Sequence, residues 1–247
     1  MSVNALNVES LSKSFGDKKA VNSLNLSLEA GEFYAFLGSN GAGKTTTMRM
    51  ISGLLAPDSG AIEVFGINVL ENPIQAKEIM AWLPDEPLLY DKLSPIEYLE
   101  FVAGLWKLDG NRAASLAEDL LKRFELWDVK DKRCEGFSRG MKQKTAICGA
   151  LLHEPKLLLM DEPFSGLDAA IARDLKELLN EKTKEGATII LTTHVLEIAE
   201  KLARKIGIIH NGLLLSQGTL DELREENEMA GKSLEDIFLT LIDRQKA

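Results

Sequence analysis

Long apolar runs are missing from this sequence. No stretch approaches the ~18 apolar residues that a membrane span needs, so action at a membrane would require a partner already there. Met1 to Ser10 has neither the basic start nor the apolar centre of a secretory signal, and none is expected. Cysteine is scarce. Cys134 and Cys148 are the only two, without a CxxC neighbour or a histidine at ligand spacing. That argues against a disulfide framework or a zinc site and points to idle thiols in a reducing compartment. Basic charge is in deficit: 29 Lys+Arg stand against 38 Asp+Glu, a net charge of −9. A broad nucleic-acid surface needs clustered cations, so none is expected. No repeat, low-complexity tract or Pro/Gly/Ser linker divides the 247 residues. With 45% hydrophobic and 27% charged residues, the chain can bury the core of one large domain or two small ones.

What is present alternates between strand and helix patterns. Leu24, Leu26 and Leu28 alternate with Asn25, Ser27 and Glu29, the period of a half-buried strand. Phe33 to Leu37 reads as a short apolar strand, Thr45 to Ser52 as a helix and Ala61 to Phe65 as a further strand. From about 87 to 145 strand signals stop. Ile96, Leu99, Val102 and Trp106 recur at helical spacing, as do Leu116, Leu120 and Phe124, which predicts an inserted helical subdomain. Leu157 to Met160 and Ala187 to Leu191 are continuous apolar runs, expected of strands covered on both faces. Between them, Ile171, Leu175 and Leu178 form one stripe of a helix over about 169 to 185. Asn211-Gly212 predicts a hairpin turn between strands at Ile206–His210 and Leu213–Ser216. Leu234, Ile237, Phe238 and Leu241 mark a C-terminal amphipathic helix. Alternating strands and helices predict an α/β fold with a mainly parallel sheet.

Gly38-Ser39-Asn40-Gly41-Ala42-Gly43-Lys44-Thr45 fits G-x-x-x-x-G-K-[ST], after a predicted strand and before a predicted helix. Glycines let the backbone turn left-handed and approach a ligand. Successive N–H groups then form an anion nest at a helix N-terminus. Lys44 adds charge for the outer phosphates, and the Thr45 hydroxyl suits the Mg²⁺ that bridges them. Asp161-Glu162 ends the apolar run, at the sheet edge where ligand sites lie. Asp161 is expected to hold Mg²⁺ and Glu162 to orient or deprotonate a water attacking the γ-phosphorus of ATP.

With these motifs the chain resembles the nucleotide-binding subunits of ATP-binding cassette (ABC) transporters, from about residue 5 to 242. Phe137-Ser138-Arg139-Gly140-Met141-Lys142-Gln143 is similar to the family's L-S-G-G-Q signature, with Ser138 as a helix N-cap. Ser165-Gly166-Leu167-Asp168 resembles the aspartate loop, Thr192-Thr193-His194 the switch histidine, and Phe15 the aromatic that stacks on adenine. The resemblance implies a P-loop NTPase with a RecA-like core, an antiparallel β subdomain and an inserted helical subdomain. The expected boundaries within a single 1–247 domain are 1–86 and 146–218 for the core with its β subdomain, 87–145 for the helices and 219–247 for a helical tail. It also implies ATP and Mg²⁺ as cofactors. Gly38 to Thr46 with Phe15 and Asp85 would bind nucleotide; Thr45, Asp161 and Asp85 would hold metal; Glu162, His194 and Lys44 would be catalytic. Two cassettes would pack head to tail. Ser138, Gly140 and Met141 of one would cover ATP on the other, so that hydrolysis lets the halves part. The second cassette is expected to be another copy, with a heterodimer open. A separate permease would hold the pair on the cytoplasmic face of the membrane, and no nucleic-acid partner is implied.

Two segments depart from the family pattern. Asp85, in Leu83-Pro84-Asp85-Glu86-Pro87, stands where Gln is usual. It could keep a coupling role through Mg²⁺ or simply cap a loop. Arg139 replaces the first signature glycine and Met141 the glutamine. Arg139 could contact phosphate, reach across the dimer or face solvent. S-x-G-M and L-P-[DE]-x-P are similar to exporters of drugs, bacteriocins or other hydrophobic cargo. Pro87-Leu88-Leu89-Tyr90, with Tyr98, Phe101 and Trp106, would offer a groove to a permease helix, or form subdomain core. A non-transport cassette acting in translation or DNA maintenance is the alternative. Another is a regulatory subunit without turnover, although Lys44, Asp161, Glu162 and His194 are all present.

Overall fold

The computed structural model describes residues 4–245; Met1–Val3 and Lys246–Ala247, the outer ends of the expected domain, lie outside the described residues. The chain opens with β1 (Asn4–Phe15), β2 (Lys18–Glu29) and β3 (Phe33–Leu37), then α1 (Lys44–Ile51), β4 (Ser59–Val64), β5 (Ile67–Asn68), α2 (Pro73–Glu78) and β6 (Met80–Leu83). Three helices follow: α3 (Pro95–Leu105), α4 (Gly110–Arg123) and α5 (Arg139–Leu151). The chain continues with β7 (Leu157–Asp161), α6 (Ala169–Lys184), β8 (Thr188–Thr193), α7 (Leu196–Leu202), β9 (Lys205–His210), β10 (Leu213–Gly218), α8 (Leu220–Glu226) and α9 (Leu234–Arg244).

Two sheets form. One is antiparallel, in the order β2-β1-β4-β5. The other runs β10-β9-β3-β8-β7-β6 and is parallel except for β10. β10 returns through the expected hairpin, where Asn211 (φ 47°) and Gly212 (φ 78°) both take the left-handed conformation that a tight hairpin turn needs.

The parallel sheet is covered on both faces, which is why its strands read as unbroken apolar runs. Phe33, Ala35 and Leu37 of β3 join a core with α4, α5 and α6; Tyr34 and Phe36 point the other way, toward α1 and the antiparallel sheet. The first core also includes Leu99, Val102, Leu120, Leu121 and Phe124, so the inserted helices share their apolar interior with the sheet. The boundary expected at about 145 falls within α5, a continuous helix that is Ser138-capped at one end and buried in that core at the other. The C-terminal helices are docked rather than trailing, with Leu223, Leu234, Ile237 and Leu241 buried in the same core. No helix among the described residues is long and apolar enough to cross a membrane.

Candidate active site

β3, β7 and β8 deliver their C-terminal ends to one edge of the parallel sheet. β3 runs into the loop Gly38–Gly43, and α1 begins at Lys44. Gly43 caps the helix at φ 113°, and a Cβ there would meet the Ala20 carbonyl at 2.4 Å, so no other residue fits. Among the described residues, the N–H groups of Asn40, Gly41, Gly43 and Lys44 have no protein acceptor, while Ala42 N–H donates to Ser39 O at 3.1 Å. Free N–H groups at a helix start are an anion cradle. Lys44 is buried within it, and its Nζ donates to Gly38 O at 2.6 Å and Ser39 O at 3.3 Å. Burial lowers its pKa below the usual lysine range, and Glu162 and Asp161 oppose that shift.

Asp161 closes β7 and is 3% exposed. Its two oxygens are both engaged: Thr45 Oγ1 donates to Oδ2 at 2.6 Å, and Thr192 Oγ1 donates to Oδ1. Glu162 follows at φ 47°, a left-handed conformation that a non-glycine residue adopts only when the surroundings enforce it. The enforcement comes from β8, because Glu162 N–H donates to both Thr192 O and Thr192 Oγ1 at 3.2 Å. The Glu162 side chain reaches His194, with Oε1 at 2.9 Å from Nδ1. Val195 N–H donates to Thr193 Oγ1 at 3.0 Å, which shapes the turn that presents His194.

A cleft of about 410 Å³ lies over these groups. Phe15, Lys18, Ala20, Asp85, Asp161 and Glu162 line it together with the loop from Ser39 to Thr46. Phe15 is 53% exposed, with Lys13 Nζ 5.9 Å from its ring centroid. The structure therefore gathers Phe15, Ser39 to Thr46, Asp85, Asp161 and Glu162 around one space, with Gly38 just beneath and His194 attached through Glu162. Ser138, Gly140 and Met141 do not line this cleft. The Ser138 side chain caps α5 by accepting from Met141 N–H at 3.3 Å. A Cβ on Gly140 would lie 2.6 Å from Gly166 O, so this glycine lets α5 abut the loop after β7.

The two departures from the family pattern meet each other. Arg139 Nη2 donates to Asp85 Oδ1 at 3.0 Å. The Arg139 side chain is 55% exposed, as the solvent-facing alternative has it, and within that exposed setting it pairs with Asp85. Two residues at the site were given no role from the sequence. Lys18 lines the cleft with its Nζ 3.9 Å from where a Gly41 side chain would begin, and Thr192, buried behind it, holds the Asp161 carboxylate and the Glu162 N–H. Only their place beside the loop motif and the switch histidine hinted at them.

The residues fit the groups they would hold. Thr45 and Asp161 offer hard oxygens already within bonding distance of each other. Mg²⁺ characteristically takes one or two such ligands and completes its shell with phosphate and water.

Comparison with known proteins identifies the family. The ABC transporter family profile matches residues 21–165. The ABC transporter ATP-binding protein NatA of Bacillus subtilis is 37% identical over 238 residues, covering 94% of this chain and 96% of that protein. The bacitracin transport ATP-binding protein BcrA of Bacillus licheniformis is 38% identical over 88% of this chain and 70% of its own. A solved ATP-binding subunit of an ABC transporter superposes with a TM-score of 0.92 at 35% identity, over 96% of this chain and 99% of that one. The cradle, the paired carboxylates and these relatives agree: the chain belongs to the ABC transporter family, as an ATP-binding and ATP-hydrolysing cassette.

Proposed function

We propose that two of these cassettes, in the first instance two copies of this chain, close head to tail on ATP and drive export of a hydrophobic cargo through a separate permease. One observation carries the site reading: Lys44, Thr45, Asp161 and Glu162 line a single cleft, with Thr45 bonded to Asp161 and His194 attached through Glu162. The export direction is supported by the resemblance of the S-x-G-M and L-P-[DE]-x-P segments and by the relative named for bacitracin transport.

In this reading Phe15 stacks on the adenine ring. The loop N–H groups and Lys44 hold the β- and γ-phosphates, and Lys18 adds charge at the rim. Thr45 and Asp161, with Asp85 beside them, would hold a magnesium ion, which when bound neutralises the phosphate oxygens and favours in-line displacement. Glu162 accepts the proton of a water aligned on the γ-phosphorus, and His194 fixes the carboxylate through Nδ1. Ser138, Gly140 and Met141 complete the partner's site, where the start of α5 supplies N–H groups to phosphate. Hydrolysis removes the γ-phosphate contacts and the pair opens.

The permease contact falls on an apolar groove of about 350 Å³ between β6, α3 and α5. Leu88, 83% exposed, stands at its rim, while Tyr98, Trp106 and His153 form its wall. Trp106 stacks on His153 with centroids 4.2 Å apart, so these two rings are wall rather than free surface. The test is co-expression with a candidate permease taken from the adjacent reading frames. The chain should sediment with membranes only when that protein is present, and Leu88→Asp should reduce this several-fold without lowering the melting temperature. Equal recovery with and without the membrane protein would contradict the transport reading.

A further inference from the structure

We infer that Arg139 is a positioning residue of its own chain's ATP site, acting through Asp85. This goes beyond the proposed role of the signature segment, which serves the opposite cassette, and it rests on the reading of the cleft as the ATP site. The cleft wall carries three carboxylates, Asp85, Asp161 and Glu162, around Lys44. An incoming triphosphate is itself strongly anionic. Thr45 and Thr192 engage Asp161, and His194 engages Glu162. Arg139 is the cation assigned to Asp85, at 3.0 Å.

The geometry gives the contact a defined place. Arg139 is the first residue of α5, where a positive side chain is disfavoured by the helix dipole and a carboxylate is favoured. Asp85 at that helix end answers both. The aliphatic stem of Arg139 lies along Gly166, its Cγ 3.6 Å from where a side chain on that glycine would begin. One residue thus links the loop after β6, the loop after β7 and the start of α5. The Arg139 and Asp85 side chains are 55% and 46% exposed, so the link is a weak and reversible one. Its consequence is local: Asp85 is turned toward α5 and its charge is offset before ATP arrives.

A double-mutant cycle on nucleotide binding tests this. The dissociation constants of ATP and of adenosine are measured for wild type, Arg139→Ala, Asp85→Asn and the double variant, by calorimetry at protein concentrations that keep the chain monomeric. Arg139→Ala should weaken ATP binding about two- to fivefold, the range expected of an exposed ion pair. Adenosine binding should be unchanged, and Arg139→Lys should restore part of the loss. In the Asp85→Asn background the Arg139→Ala effect should vanish. An equal effect in both backgrounds, or none with Asp85 present, would overturn the proposal. Wild-type protein that binds no ATP would overturn the site reading, and this proposal with it.

Discussion

Glu162 Oε1 lies 2.9 Å from His194 Nδ1, which joins the carboxylate that follows β7 to the turn after β8. The two residues are 32 positions apart and meet because β7 and β8 are adjacent parallel strands in register, with Asp161 opposite Thr192. Glu162→Gln should lower ATP turnover by at least about 10²-fold while ATP still binds, because the carboxylate is the proton acceptor in this account. His194→Ala should cost about as much, and the double variant should be little worse than the more damaging single one, as expected of groups that act together. Steady-state hydrolysis by the four proteins decides this; multiplicative losses would show that the contact has no part in the chemistry.

Lys18 sits over the phosphate loop and is exposed, so its charge is available but screened. Lys18→Gln should raise the KM for ATP about threefold and leave kcat within about twofold, with the difference fading at high salt. A fall in kcat at unchanged KM would place Lys18 in the chemistry instead.

His153 gives the fold a pH dependence. Its Nε2 faces Met80 O at 3.1 Å, and burial holds its pKa below the ordinary 6.5, with the Met80 carbonyl opposing the shift. The unfolded chain therefore takes up this proton at higher pH than the folded one. Stability contributed by the neutral ring is intact above pH 6.5 and declines as pH falls toward the folded value. His153→Phe keeps a ring against Trp106 and removes the titration. Between pH 7.5 and pH 5, the urea midpoint of wild type should fall relative to that of this variant. Parallel curves would rule out the effect.

The chemistry-bearing parts were legible because each is a short local pattern. The glycine loop, the apolar runs of β3 and β7, the helix α6 and the Asn211-Gly212 turn all follow from residues next to one another. β1 was not foreseen. Its register against β2 shifts several times and Ser10 turns left-handed at φ 48°, which breaks the alternation that announces a strand. The short helices α2 and α7 are too brief to show a helical period. The Asp85–Arg139 pair, 54 residues apart, was invisible for a different reason. Each residue reads alone as a departure from the family, and only the packing of α5 against the loop after β6 makes them partners. Lys18 was missed because a lysine beside a turn carries no pattern of its own.

The central claim is that this cleft binds ATP between two cassettes and that Glu162 ends the bound state. It is tested most directly by the molar mass of purified Glu162→Gln protein, from light scattering with Mg·ATP, with Mg·ADP and without nucleotide. The account predicts twice the chain mass with Mg·ATP and the mass of one chain in the other two conditions. A single-chain mass in all three, with hydrolysis at the wild-type rate, would contradict it.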